Sequence, residues 1–292
     1  NELSSFIIKQ MNTSLWQGKS EITYRSAIAK NDSFDISIIG AGFSGLWSAY
    51  HLKQLQPALK IAIFEKEYVG FGASGRNGGW ASAEYPTSSQ RLIKEHGLDS
   101  YKQLRTALIN SIDEIGQIAS LNKWQIDYAK GGSLLFATNK PQLTRISAEI
   151  DDEHQVLSKE QVKELVNIPA ALGGVFTPHC AALNPFLLCQ SLAAHLEKLG
   201  VEIFENSQVS KIQKGQIVVN DFKVKSEISI RATEAFTPRA WQENKQIPIY
   251  SLMVATEPLS NDLMSEIKNS SRATLQQACH LITYAQFTGD NR

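Results

Sequence analysis

The residues best suited to do chemistry in this 292-residue chain are Gly40-Ala-Gly-Phe-Ser-Gly45. They match G-x-G-x-x-G, and an acid, Glu65, stands 20 positions after the last glycine. Each part has a physical task. Gly40 permits a tight turn, Gly42 lets backbone approach a pyrophosphate, and Gly45 lets the following helix lie close against the preceding strand. Phe43 and Ser44 stand where a helix N-terminus offers its unpaired N–H groups and positive dipole end to an anion. Glu65 is placed to accept hydrogen bonds from ribose hydroxyls, and its charge disfavours a 2′-phosphate, so NADP is not expected.

That pattern serves NAD as well as FAD. The discriminating segment is Phe71-Gly-Ala-Ser-Gly-Arg-Asn-Gly-Gly-Trp80. An NAD site needs no glycine-rich loop directly after the second strand, whereas FAD carries a second phosphate and a ribityl chain that must be wrapped. Ser74 can donate to phosphate and Arg76 can neutralise it. Asn77, Gly78 and Gly79 let backbone pass close to a flat ring. FAD is therefore the expected cofactor. No cluster with metal-ligand spacing is present, so no metal is expected.

The elements that must position these groups are legible around them. Asp35–Ile39 reads as a buried parallel strand. Leu46–Gln56 reads as a helix stopped by Pro57, and Lys60–Phe64 as the second strand. Residues 1–34 are polar and weakly patterned, an arm with at most a short helix. From 89 to 122 the apolar residues recur at three- and four-residue steps, predicting amphipathic helices, with Ser100 and Gln103 as a capping box. Strand Ser133–Ala137 follows Gly131-Gly132. Helical patterns cover Lys140–Glu153 and Ser158–Val166, and a helix from Pro185 to Leu199 ends at Gly200. Strands are expected at Val201–Phe204, Ser207–Gln213, Gln216–Asn220, Phe222–Val224 and Glu227–Arg231. Residues 247–257 and 279–287 read as strands of a second sheet.

Composition narrows the class. Twenty-nine Lys and Arg balance 29 Asp and Glu, giving no electrostatic reason to expect nucleic acid or an anionic membrane surface. No apolar stretch approaches the length of a transmembrane helix. Three cysteines without CxxC spacing suit a reducing compartment, so a cytoplasmic protein is expected. The first residue is Asn1, and Met11 is an alternative start.

The Gly40–Gly45 fingerprint, Glu65 and Gly72-Ala-Ser-Gly-Arg-Asn-Gly-Gly79 resemble the FAD-dependent D-amino acid oxidase superfamily, which includes glycine oxidase and sarcosine oxidase. Within it the chain is most similar to bacterial gamma-glutamylputrescine-oxidase-like proteins. Gly173–Pro185, Arg231-Ala-Thr-Glu-Ala235 and Tyr250–Pro258 extend the resemblance over about residues 15–292. It implies an α/β fold with a discontinuous Rossmann-type FAD-binding domain (35–88 and 173–235) and an α+β substrate domain (89–172 and 236–292), after an arm at 1–34. It also implies that Val209 lies on the adenine side and that Ala232-Thr233 runs beside the dinucleotide. Glu234 stands where the family pattern has glycine. Family members continue beyond a point similar to Arg292, so the chain reads as a C-terminally truncated member.

The implied chemistry is oxidation of a C–N bond in a small amine or amino acid, by hydride transfer to flavin and hydrolysis of the imine. It needs the neutral amine rather than a dedicated base, so no catalytic acid or base is assigned. Tyr250 and Tyr284 are candidate substrate-pocket residues. His179, in a Pro-His-Cys loop, is weighed against an ordinary local hydrogen-bonding role. Two other readings compete: a non-catalytic FAD-binding fragment, and an NAD-dependent dehydrogenase.

Overall fold

A computed structural model describes residues 14–18, 22–147, 153–237, 247, 249, 251–281 and 283–292. The chain divides into two compact units, one made of residues 1–77 and 185–253, the other of residues 78–184 and 254–292.

The first unit is built on a six-stranded sheet. Its spatial order is Glu202–Phe204, Ile61–Phe64, Asp32–Ile39, Phe222–Arg231, Gln216–Val219 and Val209–Gln213. The first four run parallel, and the last two fold back as an antiparallel meander. All four residues of Ile61–Phe64 are buried, as are Ile38 and Ile39, the apolar run expected of a strand covered on both faces. Helix Phe43–Leu55 buries Gly45, Leu46 and Ala49 and packs against helix Pro185–Lys198. Ile28, Phe34, Phe64, Val209, Ile217 and Val224 share one core cluster, in which Phe64 and Phe204 stack with centroids 5.4 Å apart.

The second unit holds a five-stranded sheet in the order Thr283–Ala285, Thr274–Gln277, Ser133–Ala137, Gly173–Thr177 and Gln155–Ser158. Only the pair Thr274–Gln277 and Ser133–Ala137 is parallel. Trp80–Ser82 pairs antiparallel with Cys180–Ala182. Helices Ser89–His96 and Leu98–Leu121 pack on each other.

Several sequence expectations need correction. The first strand begins at Asp32 and the first helix at Phe43. Phe222–Arg231 is one strand, because its ladder with Asp32–Ile39 runs straight through Lys225 and Ser226, the polar pair read as a break. Ser100 caps nothing. Helix Leu98–Leu121 opens directly from Gly97, whose φ of +85° also closes the preceding helix. The capping box is instead at Ser158 and Gln161, where strand Gln155–Ser158 went unread. The helix from Lys140 stops at Ser147, and residues 148–152 lie outside the described ones. The described residues of 247–257 form no strand, and Ile247, Ile249, Leu252 and Val254 are exposed. Apolar alternation makes a strand only where a neighbour supplies the ladder, and here Thr274–Gln277 takes the place beside Ser133–Ala137. Among the described residues of 279–287, only Thr283–Ala285 form strand. The units divide at 77/78, 184/185 and 253/254, not at the expected 88/89, 172/173 and 235/236. Strand Gly173–Thr177 is the reason for one of these shifts, since it hydrogen-bonds between two strands of the second sheet.

Candidate functional site

In the first unit the carboxyl ends of three neighbouring parallel strands, Asp32–Ile39, Ile61–Phe64 and Phe222–Arg231, open into a cavity of about 340 Å³. A small-molecule site in an open α/β sheet is expected at this edge. The ladder bonds carry the chain there: Gly40 N–H donates to Phe64 O at 2.8 Å and Ala232 N–H to Ile39 O at 2.9 Å. Gly40 has φ +103°, and a Cβ on it would stand 2.5 Å from Ala232 O. The glycine is therefore required both by its backbone conformation and by the neighbouring strand end.

Gly40, Gly42, Phe43, Ser44, Glu65 and Ser74 line this cavity, as do Val209, Ala232 and Thr233. The sequence expectation named all nine. Gly45 lies behind them, buried under Gly40 O where no Cβ fits. Its part is the close packing of helix on strand.

Two hydrogen-bonded contacts shape the wall. Ser74 Oγ accepts the Phe43 N–H at 2.9 Å, so the second glycine-rich loop caps the start of the first helix. A hydroxyl that accepts one N–H still has its proton to donate. Glu65 accepts two backbone N–H groups, Ala41 at 2.8 Å on one oxygen and Glu67 at 3.0 Å on the other. Burial raises its pKa above the ordinary carboxylate value, and the two N–H bonds oppose that shift.

Four expected residues are placed elsewhere. Arg76 does not line the cavity. Its Nε donates to Phe71 O at 2.5 Å and its guanidinium lies 4.6 Å from the centre of the Phe71 ring. Asn77 turns its side-chain amide back to Ser74 O (2.8 Å) and Ala73 O (3.2 Å). Gly78 and Gly79 belong to the second unit. A Cβ on Gly78 would stand 2.5 Å from the Tyr284 ring, and Gly78 O accepts the Gln286 amide at 2.5 Å. Tyr284 packs edge-on against Trp80, centroids 5.1 Å apart, and is half exposed. Tyr250 lies outside the described residues. His179 donates its backbone N–H to Thr177 Oγ1 at 3.3 Å, and its ring Nδ1 is buried without a hydrogen-bond partner among the described residues.

The cavity also has walls that sequence reasoning passed over. Phe71 and Phe236 approach each other at 6.2 Å between centroids beside Gly72. Glu234, also lining, has φ +41°, a left-handed conformation that side chains other than glycine rarely hold. The family's glycine at this place was the available signal for it. Behind the wall, Glu205 is 1% exposed and accepts N–H groups from Arg25 (2.6 Å) and Val69 (2.8 Å) and the Arg25 guanidinium (3.1 Å). No pattern in the sequence marks it.

The residues present fit a dinucleotide. A helix start faces the cavity beside a hydroxyl, a partly buried carboxylate ends the second strand, and no Cβ intrudes where the turn passes the strand ends. Fold and site together define a Rossmann-type dinucleotide-binding protein. Residues 35–292 match the FAD dependent oxidoreductase (DAO) family. The chain belongs to that family, and FAD is its cofactor. It is 30% identical over 276 residues to the "Probable oxidoreductase OrdL" of Haemophilus influenzae, covering 88% of this chain and 63% of that protein. It is 25% identical over 296 residues to the gamma-glutamylputrescine oxidoreductase of Escherichia coli, covering 96% of this chain and 68% of that one. Among solved structures, L-proline dehydrogenase from P. horikoshii superimposes with a TM-score of 0.66 at 16% identity, over 89% of this chain and 68% of that one. The chain thus spans about two thirds of the length of these relatives. No helix among the described residues is long and apolar enough to cross a membrane.

Proposed function

We propose that this protein oxidises the C–N bond of a small amine or amino acid with FAD as the hydride acceptor. The observation that carries the reading is the Phe43–Ser74 contact, which joins the fingerprint helix to a second glycine-rich loop at one cavity. An NAD site has no use for that second loop. FAD, when bound, supplies the group that takes the hydride from the amine-bearing carbon.

The chain's residues bind and orient. Glu65 accepts from the ribose hydroxyls of the adenosine half. Ser44, in the first turn of its helix, and Ser74 donate to the pyrophosphate. Val209 gives its backbone to the adenine side, and Ala232-Thr233 flank the dinucleotide. The Asn77 backbone passes the ring portion. The amine class is supported by the relative named for gamma-glutamylputrescine. Three free cysteines support a cytoplasmic setting.

The test is an absorbance spectrum of the purified chain with and without added FAD, alongside a melting curve. A flavin spectrum that stays with the protein and a raised melting temperature are expected. Anaerobic bleaching of that spectrum by one of a panel of primary amines, N-methyl amines and amino acids would identify the substrate class. Bound FAD bleached by none of them would remove the amine reading, and a colourless protein with no melting shift would remove FAD binding by this chain.

A further inference from the structure

The arm before the first strand makes a short turn, Leu15–Gln17, that packs on helix Pro185–Lys198 and hydrogen-bonds to the second glycine-rich loop. Ser14 is buried, and its Oγ donates to Gly75 O at 2.8 Å while accepting the Trp16 N–H at 3.3 Å. The Trp16 indole N–H donates to Asn77 O at 2.7 Å. The indole itself is 7% exposed and packs with Tyr68 and Phe186. Tyr68 O–H donates to Gln17 Oε1 at 3.2 Å. A loop of small residues cannot hold its own shape, because glycine gains backbone freedom when released. Here two carbonyls two residues apart, Gly75 O and Asn77 O, are held from outside by two side chains of one turn. Between the two grips the loop closes on itself, with the Asn77 amide on Ser74 O. Ser74 in turn fixes the Phe43 N–H at the cavity wall.

We propose that Ser14 and Trp16 are positioning residues for the cofactor. They form a strut that fixes the 72–77 loop, and so Ser74, in its binding geometry before the dinucleotide arrives. Preorganisation of this kind appears as affinity, because a loop already ordered pays less on binding. This inference rests on the reading of the loop as a wall of the FAD site, and its first readout does not involve FAD.

The experiment compares the full chain with Trp16→Phe, which keeps an aromatic ring in the pocket while removing the indole N–H with its five-membered ring, and with Ser14→Ala. Two quantities are measured: hydrogen exchange of the amides of residues 72–77 in the cofactor-free protein, and the FAD dissociation constant. Each strut variant is expected to speed exchange of those amides about tenfold, which corresponds to one lost hydrogen bond of about 1.4 kcal/mol. Exchange in strand Ile61–Phe64 should stay unchanged, and FAD should bind about tenfold more weakly. Unchanged loop exchange in Trp16→Phe and Ser14→Ala would overturn the strut. Faster exchange with unchanged FAD affinity would keep the strut and overturn its role toward the cofactor. Faster exchange in every strand as well would show a general loss of fold and overturn the proposal, leaving Trp16 an ordinary core residue. Faster loop exchange in a chain that binds no FAD would retain the brace and refute the binding reading instead.

Discussion

Ser74 Oγ and the backbone N–H of Phe43 meet at 2.9 Å, so a hydroxyl 31 residues downstream serves as partner for the first amide of the fingerprint helix. Removing it leaves an N–H at the cavity wall unpaired, at a cost of about 1–3 kcal/mol. Ser74→Ala is therefore expected to weaken FAD binding at least about tenfold, by loosening the helix start and deleting a donor to phosphate. Titration of flavin fluorescence checks this. Unchanged affinity would place the second loop outside the cofactor site.

Glu65 gives the site a pH signature. Its pKa is raised by burial, so ionising it costs the cofactor-free fold stability. On this group alone stability is higher below the folded pKa and is lost as pH rises through it. The carboxylate that accepts from ribose is the form present above that pKa. FAD affinity is therefore expected to fall as pH drops through that raised pKa, while cofactor-free stability gains slightly. In Glu65→Gln both trends should flatten, with affinity about tenfold lower at neutral pH. Parallel FAD titrations of the two proteins across that pKa measure the difference.

The Glu205 carboxylate is a hub for stability rather than chemistry. It joins the arm, through Arg25, to the turn after the second strand, through the Val69 N–H. Truncating one partner of a buried ion pair costs about 3–5 kcal/mol. Glu205→Ala should lower the melting temperature by roughly 10 °C, at about 2–4 °C per kcal/mol for a domain of this size. Glu205→Gln, which keeps an acceptor, should lose less than half as much. A thermal melt that fails to separate the two variants would remove Glu205 from this role.

Glu234 holds a left-handed backbone and puts a negative charge beside the cavity. Glycine there relieves about 1–2 kcal/mol of backbone strain and gives back about 0.4–1 kcal/mol through the freer unfolded chain. Glu234→Gly is expected to be neutral to slightly stabilising. Both it and Glu234→Gln should tighten FAD binding about threefold at low salt, as removing a negative charge from the wall of a wet anion site relieves under about 1 kcal/mol of repulsion. In 0.5 M salt, roughly, that gain should shrink. A gain in Glu234→Gly alone, unaffected by salt, would assign the effect to strain instead of charge.

The fingerprint half of the site was legible because its chemistry is local in sequence: a strand end, a turn of glycines and a helix start within a dozen residues. Val209 and Ala232-Thr233 came from the family resemblance, since nothing in their own spacing points to Gly40. The misplaced residues show where such reading stops. Arg76 looked like a phosphate partner by charge, yet the Phe71 carbonyl and ring beside it engage its guanidinium. Trp16 sat in a stretch too weakly patterned to read, because its indole N–H bonds a carbonyl 61 residues away. Strand Thr274–Gln277 is short and polar, and only its place between two neighbours makes it a strand.

The parallel ladder between Asp32–Ile39 and Phe222–Arg231 has a consequence for synthesis. Its partners lie about 190 residues apart in the chain. At a translation rate of roughly 5–20 residues per second, the first strand waits some 10–40 s on the ribosome for the second. During that interval its apolar edge has no native neighbour on one side, while Ser133–Ala137, Gln155–Ser158 and Gly173–Thr177 emerge and can already pair with one another. The nascent chain thus spends its most aggregation-prone period with the nucleotide fold half built, and that is where a chaperone has the most to protect.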